Sequence, residues 1–424
     1  MASLYQIICF TNSFFNYPIV VVLRLVDENS DLYPATTVCN LNPMKKIYNI
    51  CFKETPYYCN YSIHTDLEEG LVTDGLFQFL MPVSQTFYSS VLNKTFDKSK
   101  MSMIEFLTSY TKLNAEARKA YGTRGKSFIK YCSFKGSFCS ANDFEFNQNT
   151  IFGNCYTFKP STYSKRLLTK QSLLLNNNNL EIILNLETDS YIEYLSMRIG
   201  ALVTIHGAFE EPSIEEKGIL VSPGFETHIK IKTTETKRLP APYKDKCMDY
   251  RLQLLNPRDC ILGCLQEINQ EKCDCVDPMV PVHKTDSLMC NMTDMKDISC
   301  LFDVINNLLV YHSKCNCDLP CFSTNYNEQV WKSSWPSRRY FDKYLKTKLK
   351  LRHGQDFKFF KNNYAFLKLH LGTTKEIIEQ RPLYDISEFF SNLGGSLGLY
   401  LGTSCMIVIE ILEILMVVLN RKFI

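Results

Sequence analysis

Hydrophobic and polar positions divide the chain into two apolar ends and a long mixed middle. Residues 393–419 read LGGSLGLYLGTSCMIVIEILEILMVVL, apolar except for Glu410 and Glu413. That run is long enough to span a bilayer with some tilt. Arg421 and Lys422 follow at once, and the positive-inside rule then sets the C-terminus in the cytoplasm. At the other end, residues 4–15 are apolar but too short to span, and no basic residues precede them as in a signal peptide. They read either as an interfacial or core segment or as the outer end of a first membrane helix. In the middle, 101–118 (MSMIEFLTSYTKLNAEAR) has the i, i+3, i+4 spacing of a helix. The segments LEIILNL, ALVTIH and GILVSPGFETHIKIK, between 180 and 232, read as strands punctuated by Pro212, Pro223 and Gly224. Residues 176–179 read as a loop, and 301–311 (LFDVINNLLVY) as a short helix. The basic stretch 336–352 reads as a solvated helix face.

Charge adds little. Lys plus Arg is 47 against 44 Asp plus Glu, a net +3, which gives no reason to expect a nucleic-acid partner. The 18 cysteines change the picture, because such density belongs to an oxidising compartment. Three sequons, at Asn60, Asn93 and Asn291, agree with a glycosylated middle outside the cell. Ten cysteines fall between 247 and 321: Cys247, Cys260, Cys264, Cys273, Cys275, Cys290, Cys300, Cys315, Cys317 and Cys321. An even number in an extracellular segment implies five bridges, although spacing alone does not fix their order. The near-palindromic gaps suit a nested ladder: Cys247–Cys321, Cys260–Cys317, Cys264–Cys315, Cys273–Cys300 and Cys275–Cys290. Two antiparallel helices stapled along their length would give that order. Zinc is the competing reading of the C-x-C pairs, but zinc favours C-x₂-C spacing and no metal is expected. Cys9 and Cys405 lie in apolar segments and are expected to be free.

Gly125-Lys126-Ser127 resembles the end of a P-loop, but Ala120 stands where that motif needs glycine. No H-E-x-x-H and no G-x-S-x-G is present, and neither an enzyme nor a cofactor is indicated. The chemistry lies in the last segment. Gly394, Gly398 and Gly402 recur every four residues, a spacing that lets helices approach closely. Glu410 and Glu413 would each cost about 2.5–3.5 kcal/mol at mid-bilayer, so they must face protein or water. On a straight helix, residues eleven apart lie within about 20° of each other. Ser391, Gly395, Gly402 and Glu413 would then form one stripe. The stripe reads either as a helix-packing seam or, in several symmetric copies, as the lining of a cation pore.

Several motifs in order resemble the degenerin/epithelial sodium channel family, which includes the acid-sensing channels. They are Tyr33-Pro34-Ala35-Thr36-Thr37-Val38-Cys39-Asn40; Gly153-Asn154-Cys155-Tyr156-Thr157-Phe158; VSPGFET at 221–227; and Leu239-Pro240 to Tyr243. Further on come Cys315-Asn316-Cys317-Asp318-Leu319-Pro320-Cys321, Trp335-Pro336, and the run from Gly394 to Ser404. The resemblance implies a membrane protein of mixed α and β structure, a trimer of identical or related subunits in the plasma membrane. Its large disulfide-rich, β-centred ectodomain has a palm, finger, thumb, knuckle and β-ball between two membrane helices. Residues 1–18 would be the outer part of the first, incomplete helix and 19–387 the extracellular domain. Within the latter, the finger would cover about 85–150 and the laddered thumb 247–335. Residues 388–420 would form the second, pore-lining helix and 421–424 the cytoplasmic tail.

The resemblance also implies bridges Cys39–Cys155 and Cys132–Cys139; a Cys51–Cys59 bridge is a further guess. Gly402, Thr403 and Ser404 fall on a selectivity filter that interrupts the second helix, so the straight stripe is approximate there. Ser391 falls on the position where bulky residues hold such channels open, with Gly394, Gly395 and Gly398 beside it. Glu410 and Glu413 fall on acidic positions below the filter. Tyr243 falls on an aromatic that meets the first helix, near Phe14 or Phe15. Sodium would be the permeant ion, amiloride the blocker, and lipid the surroundings. The family's His-Gly gating motif and the start of its first helix have no counterpart here, as in a truncated gene form or a non-conducting isoform. The His pair that acid-sensing members carry after the first helix is Phe15-Asn16-Tyr17-Pro18-Ile19 in this chain, and the thumb helix after Cys300 offers one acid, Asp303. Proton gating is not expected. The rival reading is a membrane-anchored receptor, adhesion protein or non-conducting regulatory subunit.

Overall fold

The computed structural model describes residues 2–27, 33–46, 106, 110, 113–149, 151–160, 179–192, 198–208, 210–250, 257–278, 280, 288–291, 294–307, 315–351, 354–402, 407, 409, 410, 412–414 and 416. Two β-sheets carry the structure. The first contains β3 (Ile129–Phe134), β4 (Ser137–Cys139), β7 (Asn179–Asn185), β10 (Phe225–Lys237), β11 (Phe322–Ser334) and β12 (Tyr364–Pro382). Its order is β11-β10-β12-β7-β3-β4, and β1 (Ile19–Asp27) joins β12 further along. The pair β10/β12 is parallel and the others are antiparallel. The second sheet runs β5-β6-β2-β8-β9: Phe144–Asn149, Gly153–Phe158, Ala35–Asn40, Ala201–His206 and Ile219–Val221.

Alternation along β10 decides which of its faces goes inside. Thr227, Ile229, Ile231 and Thr233 are buried, while Lys230 and Lys232 point out. The strands β2, β6 and β8 are buried along their whole length, as expected for strands covered on both faces. The main core draws on both sheets, with Val38, Phe158 and Val203 from one and Phe134, Ile182, Ile229 and Leu367 from the other. The bridge Cys39–Cys155 joins directly opposed residues of β2 and β6, and Cys132–Cys139 does the same across β3 and β4.

Two helix expectations need correction. The single helix over 101–118 is interrupted. Phe106 and Tyr110 are helical, but Asn114 then starts a new helix, α2 (Ala115–Tyr121), its side chain accepting from the Ala117 N–H. Asparagine competes for backbone donors in this way, so it caps helices better than it continues them. The short helix expected over 301–311 begins earlier and ends earlier, as α4 (Met295–Asn306). Asp294 caps its start, and Ile298, Leu301 and Val304 form its buried face.

All five rungs of the nested ladder are present. The supporting geometry differs from two antiparallel helices stapled along their length. Only Cys273–Cys300 joins two helices, α3 (Pro257–Cys273) and α4. Cys260 and Cys264, one turn apart on α3, reach instead to Cys317 and Cys315 on a non-helical segment. Cys247–Cys321 closes the base beside the Met248↔Pro320 bridge. The basic stretch after Pro336 forms short helical turns over 338–348, with Phe341 and Leu345 inside and its lysines outside.

Candidate functional site

The strand β12 ends at Pro382, and the last long helix, α5 (Ile386–Leu401), begins almost at once. Asp385 and Glu388 form a capping box, each side chain accepting a backbone N–H of the other's end. The helix stops because Gly402 adopts φ 61°, ψ 18°, with its N–H donating to the Gly398 carbonyl at 3.0 Å. This left-handed conformation suits glycine and ends helices. Residues 407, 409, 410, 412–414 and 416 are helical again, and Glu410 and Glu413 are exposed. The expectation of one straight stripe is therefore corrected. Ser391 and Gly395 lie on one helix and Glu413 on another, so the eleven-residue phase does not carry across Gly402. Thr403, Ser404 and Cys405 lie outside the described residues, as do Cys51, Cys59, Asn60 and Asn93. Among the described residues no helix is long and apolar enough to cross a membrane.

Ser391, Gly394 and Gly395 are exposed. A Cβ added at Gly394, Gly395 or Gly402 would meet no described atom within 4 Å. Among the described residues, none packs against Gly394, Gly395 or Gly402. The helix α1 (Ala2–Phe15) meets α5 elsewhere, through aromatic rings. Phe14 tilts against Phe389 at 4.3 Å between centroids, Phe10 stacks on Phe389 at 5.8 Å and meets Tyr384 edge-on at 5.2 Å, and Phe15 lies 6.3 Å from Phe389. Cys9 on the same helix is free and exposed.

Tyr243 meets the first helix's end, but not through the expected residues. Its ring partner is Tyr17, edge-on at 5.5 Å, while Phe14 and Phe15 turn toward Phe389. The reason is local: Tyr17 has φ 48° just before Pro18, where the chain leaves the helix for β1. That turn swings its ring away from the α1–α5 seam. Around Tyr243, Gln380 of β12 acts as a clamp. Its Nε2 donates to Asp245 Oδ2 at 2.6 Å and its Oε1 accepts the Leu239 N–H at 3.1 Å. Arg238 donates to the Pro320 carbonyl at 3.1 Å, tying the same turn to the disulfide-stapled hairpin. The sequence reading missed Tyr17, Phe389 and Gln380. The Tyr-Pro pair and the paired Phe389-Phe390 before the glycines were the available signals; nothing marked Gln380.

The other strand of this junction, β1, pairs antiparallel with the final part of β12, from Ile19↔Pro382 to Asp27↔Thr374. The Leu383 N–H donates to the Pro18 carbonyl at 2.9 Å, so the two strands are held together where α1 ends and α5 begins. Arg24 and Arg381 converge on Glu379, and the Arg381 hydrogen bond leads in holding that carboxyl below the usual carboxylate range. The sequon residue Asn291 is exposed, its backbone N–H donating to Asp297 Oδ2 at 2.7 Å. Among the described residues no group of three or more His, Cys, Asp or Glu is placed to hold a metal.

The sequence pattern of the amiloride-sensitive sodium channel family matches residues 1–414. Among curated relatives, acid-sensing ion channel 2 of Danio rerio is 27% identical over 419 residues, covering 94% of this chain and 72% of the relative. The degenerin-like protein asic-2 of Caenorhabditis elegans is 23% identical over 443 residues, covering 97% and 78%. The gamma subunit of the epithelial sodium channel of Xenopus laevis is 27% identical over 322 residues, covering 72% and 47%. The fold and its last helix thus fall in a class of ion channels, not of enzymes. The chain belongs to the amiloride-sensitive sodium channel family, as its motifs suggested.

Proposed function

We propose that this chain is a subunit of a trimeric, sodium-selective, amiloride-sensitive channel of the plasma membrane. Residues 19–387 lie outside the cell, α1 and the segment from 388 lie in the membrane, and the C-terminus is cytoplasmic. One observation carries the reading: the apolar helix breaks at Gly402, above Glu410 and Glu413, while no described residue packs against Gly394, Gly395 or Gly402. A helix break frees carbonyl oxygens that would otherwise be bonded along the helix. Three copies around an axis would turn such a break into a ring of oxygens for a hard cation. Two acids per chain below it would concentrate cations there and remove the cost of isolated carboxylates in lipid. Opening would pass from the disulfide-stapled thumb, 247–335, through Tyr243 and Tyr17 to α1 and α5.

The test is voltage clamp on cells expressing this chain with Ser391→Phe. Ser391 is exposed on the upper half of α5, where a bulky ring between copies would oppose closure. The expected result is a standing inward sodium current blocked by amiloride. Protein delivered to the surface without such a current would overturn the reading of a self-sufficient channel and favour a non-conducting regulatory subunit.

A further inference from the structure

On the outer face of the first sheet, two histidines from different strands are bonded to each other. His228 Nδ1 lies 3.0 Å from His370 Nε2, with the rings stacked at 5.3 Å and 6°. Trp331 of β11, directly opposite His228, stacks on both rings, at 5.3 Å and 6.0 Å. Each outer end of the pair has its own partner. His228 Nε2 lies 2.9 Å from Glu226 Oε1, and His370 Nδ1 lies 2.9 Å from Asn179 Oδ1. The relay therefore runs from β10 through β12 to β7. The sequence reading found no role for these histidines.

Donor and acceptor counting limits what the relay can hold. A carboxylate only accepts, so His228 carries its proton on Nε2 and offers a bare Nδ1 to the His370 Nε2–H. In the neutral pair His370 Nδ1 is bare too, and the Asn179 amide serves it by presenting its NH₂. With one added proton, His370 Nδ1–H donates to the amide oxygen after that amide turns over. A second proton would place two N–H groups head to head at 3.0 Å, between two cations, and the bond cannot survive it. The other charged groups on this face are Lys230 of β10, the Lys368–Glu181 pair of β12 and β7, at 2.9 Å, and the Lys232–Glu376 pair further along β10 and β12. Burial, followed by the neighbouring His228 and Lys368, holds His370 below the usual imidazole range.

We infer that His228 and His370 form a proton-operated clasp between β10 and β12. The clasp is closed while the pair carries at most one added proton and opens when it carries two. Its place gives it leverage, because His370 stands two residues before Gly372, where the β10/β12 register slips. Acid would therefore loosen the parallel pair just above the segment that leads to α5. The clasp is a property of the sheet and does not depend on the channel reading.

Two measurements on the purified full-length chain test it. The first is thermal unfolding from pH 8 to pH 5 of the parent and of His370→Gln, which can still donate to His228 but does not titrate. Because the folded pair resists protons that the unfolded chain accepts, the parent loses stability relative to the variant as pH falls below about 6.5. Curves that stay parallel would overturn the clasp. Should His370→Gln not fold, histidine ¹³C spectra of the parent decide it. His370 is expected to take up its proton below the usual imidazole range, coupled to the ring it is bonded to. Seven histidines titrating independently would refute it.

Discussion

His206 should make the fold acid-labile, by an amount its surroundings allow one to work out. It ends β8, is 6% exposed, and lies 2.9 Å through Nδ1 from the Gly207 carbonyl. A carbonyl only accepts, so Nδ1 bears the proton and Nε2 accepts from the Thr37 hydroxyl at 2.8 Å. The chain continues inward: Thr37 Oγ1 is 2.7 Å from Thr157 Oγ1, which accepts from Asn147 Nδ2 at 2.6 Å. Protonating Nε2 reverses this chain and leaves the Thr157 hydrogen with no acceptor in it. Burial is the main cause that lowers the His206 pKa to about 4. The depressed value fixes the sign: the unfolded chain takes the proton near pH 6.5 and the folded chain does not. The stabilisation is thus full above pH 6.5 and is lost as pH falls toward 4. The full difference corresponds to roughly 3 kcal/mol, of which about 2 kcal/mol is gone at pH 5. The assay is denaturant unfolding of the parent and His206→Gln at pH 7.5 and pH 5. The variant is expected to be less stable at pH 7.5, with the gap closing by about 2 kcal/mol at pH 5. The histidine clasp on the other sheet is common to both proteins and cancels. A gap that does not change with pH would refute the reasoning.

Other expectations follow from the same geometry. Replacing Tyr17 and Tyr243 singly and together by alanine should give a coupling energy of about 0.5–1.5 kcal/mol in channel opening, the range for an edge-on ring pair; strict additivity would sever this link. Phe389→Ala removes the ring on which Phe10, Phe14 and Phe15 converge. As the ring is only half-buried, a cost of about 1–2 kcal/mol is expected, seen as easier proteolysis of α1. Reductant should lower the melting temperature sharply while a chelator leaves it unchanged, since the clustered cysteines are paired with one another. A chelator effect would revive zinc. Removing Cys273 and Cys300 together should cost about 2–4 kcal/mol.

What could be read from the sequence follows what each signal measures. Apolar, β-branched runs bounded by Pro and Gly gave the strands around 201–206 and 225–232, although only the second is buried on one side. Cysteine order gave the ladder, since nested spacing is a property of the chain. It did not give the partners' conformation. Pro320 keeps 315–321 out of a helix, so Cys260 and Cys264 of α3 are stapled to a non-helical segment and only Cys273 reaches α4. The break at Gly402 was invisible to hydropathy, because glycine is common in apolar spans and costs nothing in that count. Tyr243 was found by its motif, but its partner was misplaced by two or three residues. The turn at Tyr17 and Pro18 depends on φ, which composition does not report. Gln380 was missed because a clamp of two hydrogen bonds to a loop far away in sequence leaves no local pattern.

Gly372→Ala is the substitution that asks most of the fold. Before Gly372, β12 runs through the core, with Ala365, Leu367 and Leu369 fully buried between β10 and β7. After it, from Thr374 to Pro382, the strand pairs with β1 and carries surface ion pairs: Lys232 with Glu376, Lys375 with Glu235, and Arg24 with Glu379. Such pairs contribute little each, so the lower ladder is held mainly by its backbone. At the joint, a Cβ on residue 372 would sit 2.9 Å from the Ile231 carbonyl oxygen. That atom is backbone and cannot swing aside, so β10 and β12 must part locally or bend elsewhere. Overpacking of this kind costs about 1–3 kcal/mol. The loss should appear in unfolding of the whole chain. It should also appear as faster amide exchange at Ile231 and Thr233, with the β1–β12 ladder less affected. In a conducting channel the same change should alter opening without altering ion selectivity, because Gly402 lies thirty residues further on in another element. Equal loss of exchange protection along all of β12 would mean that the strand is one rigid piece, and that Gly372 is not its hinge.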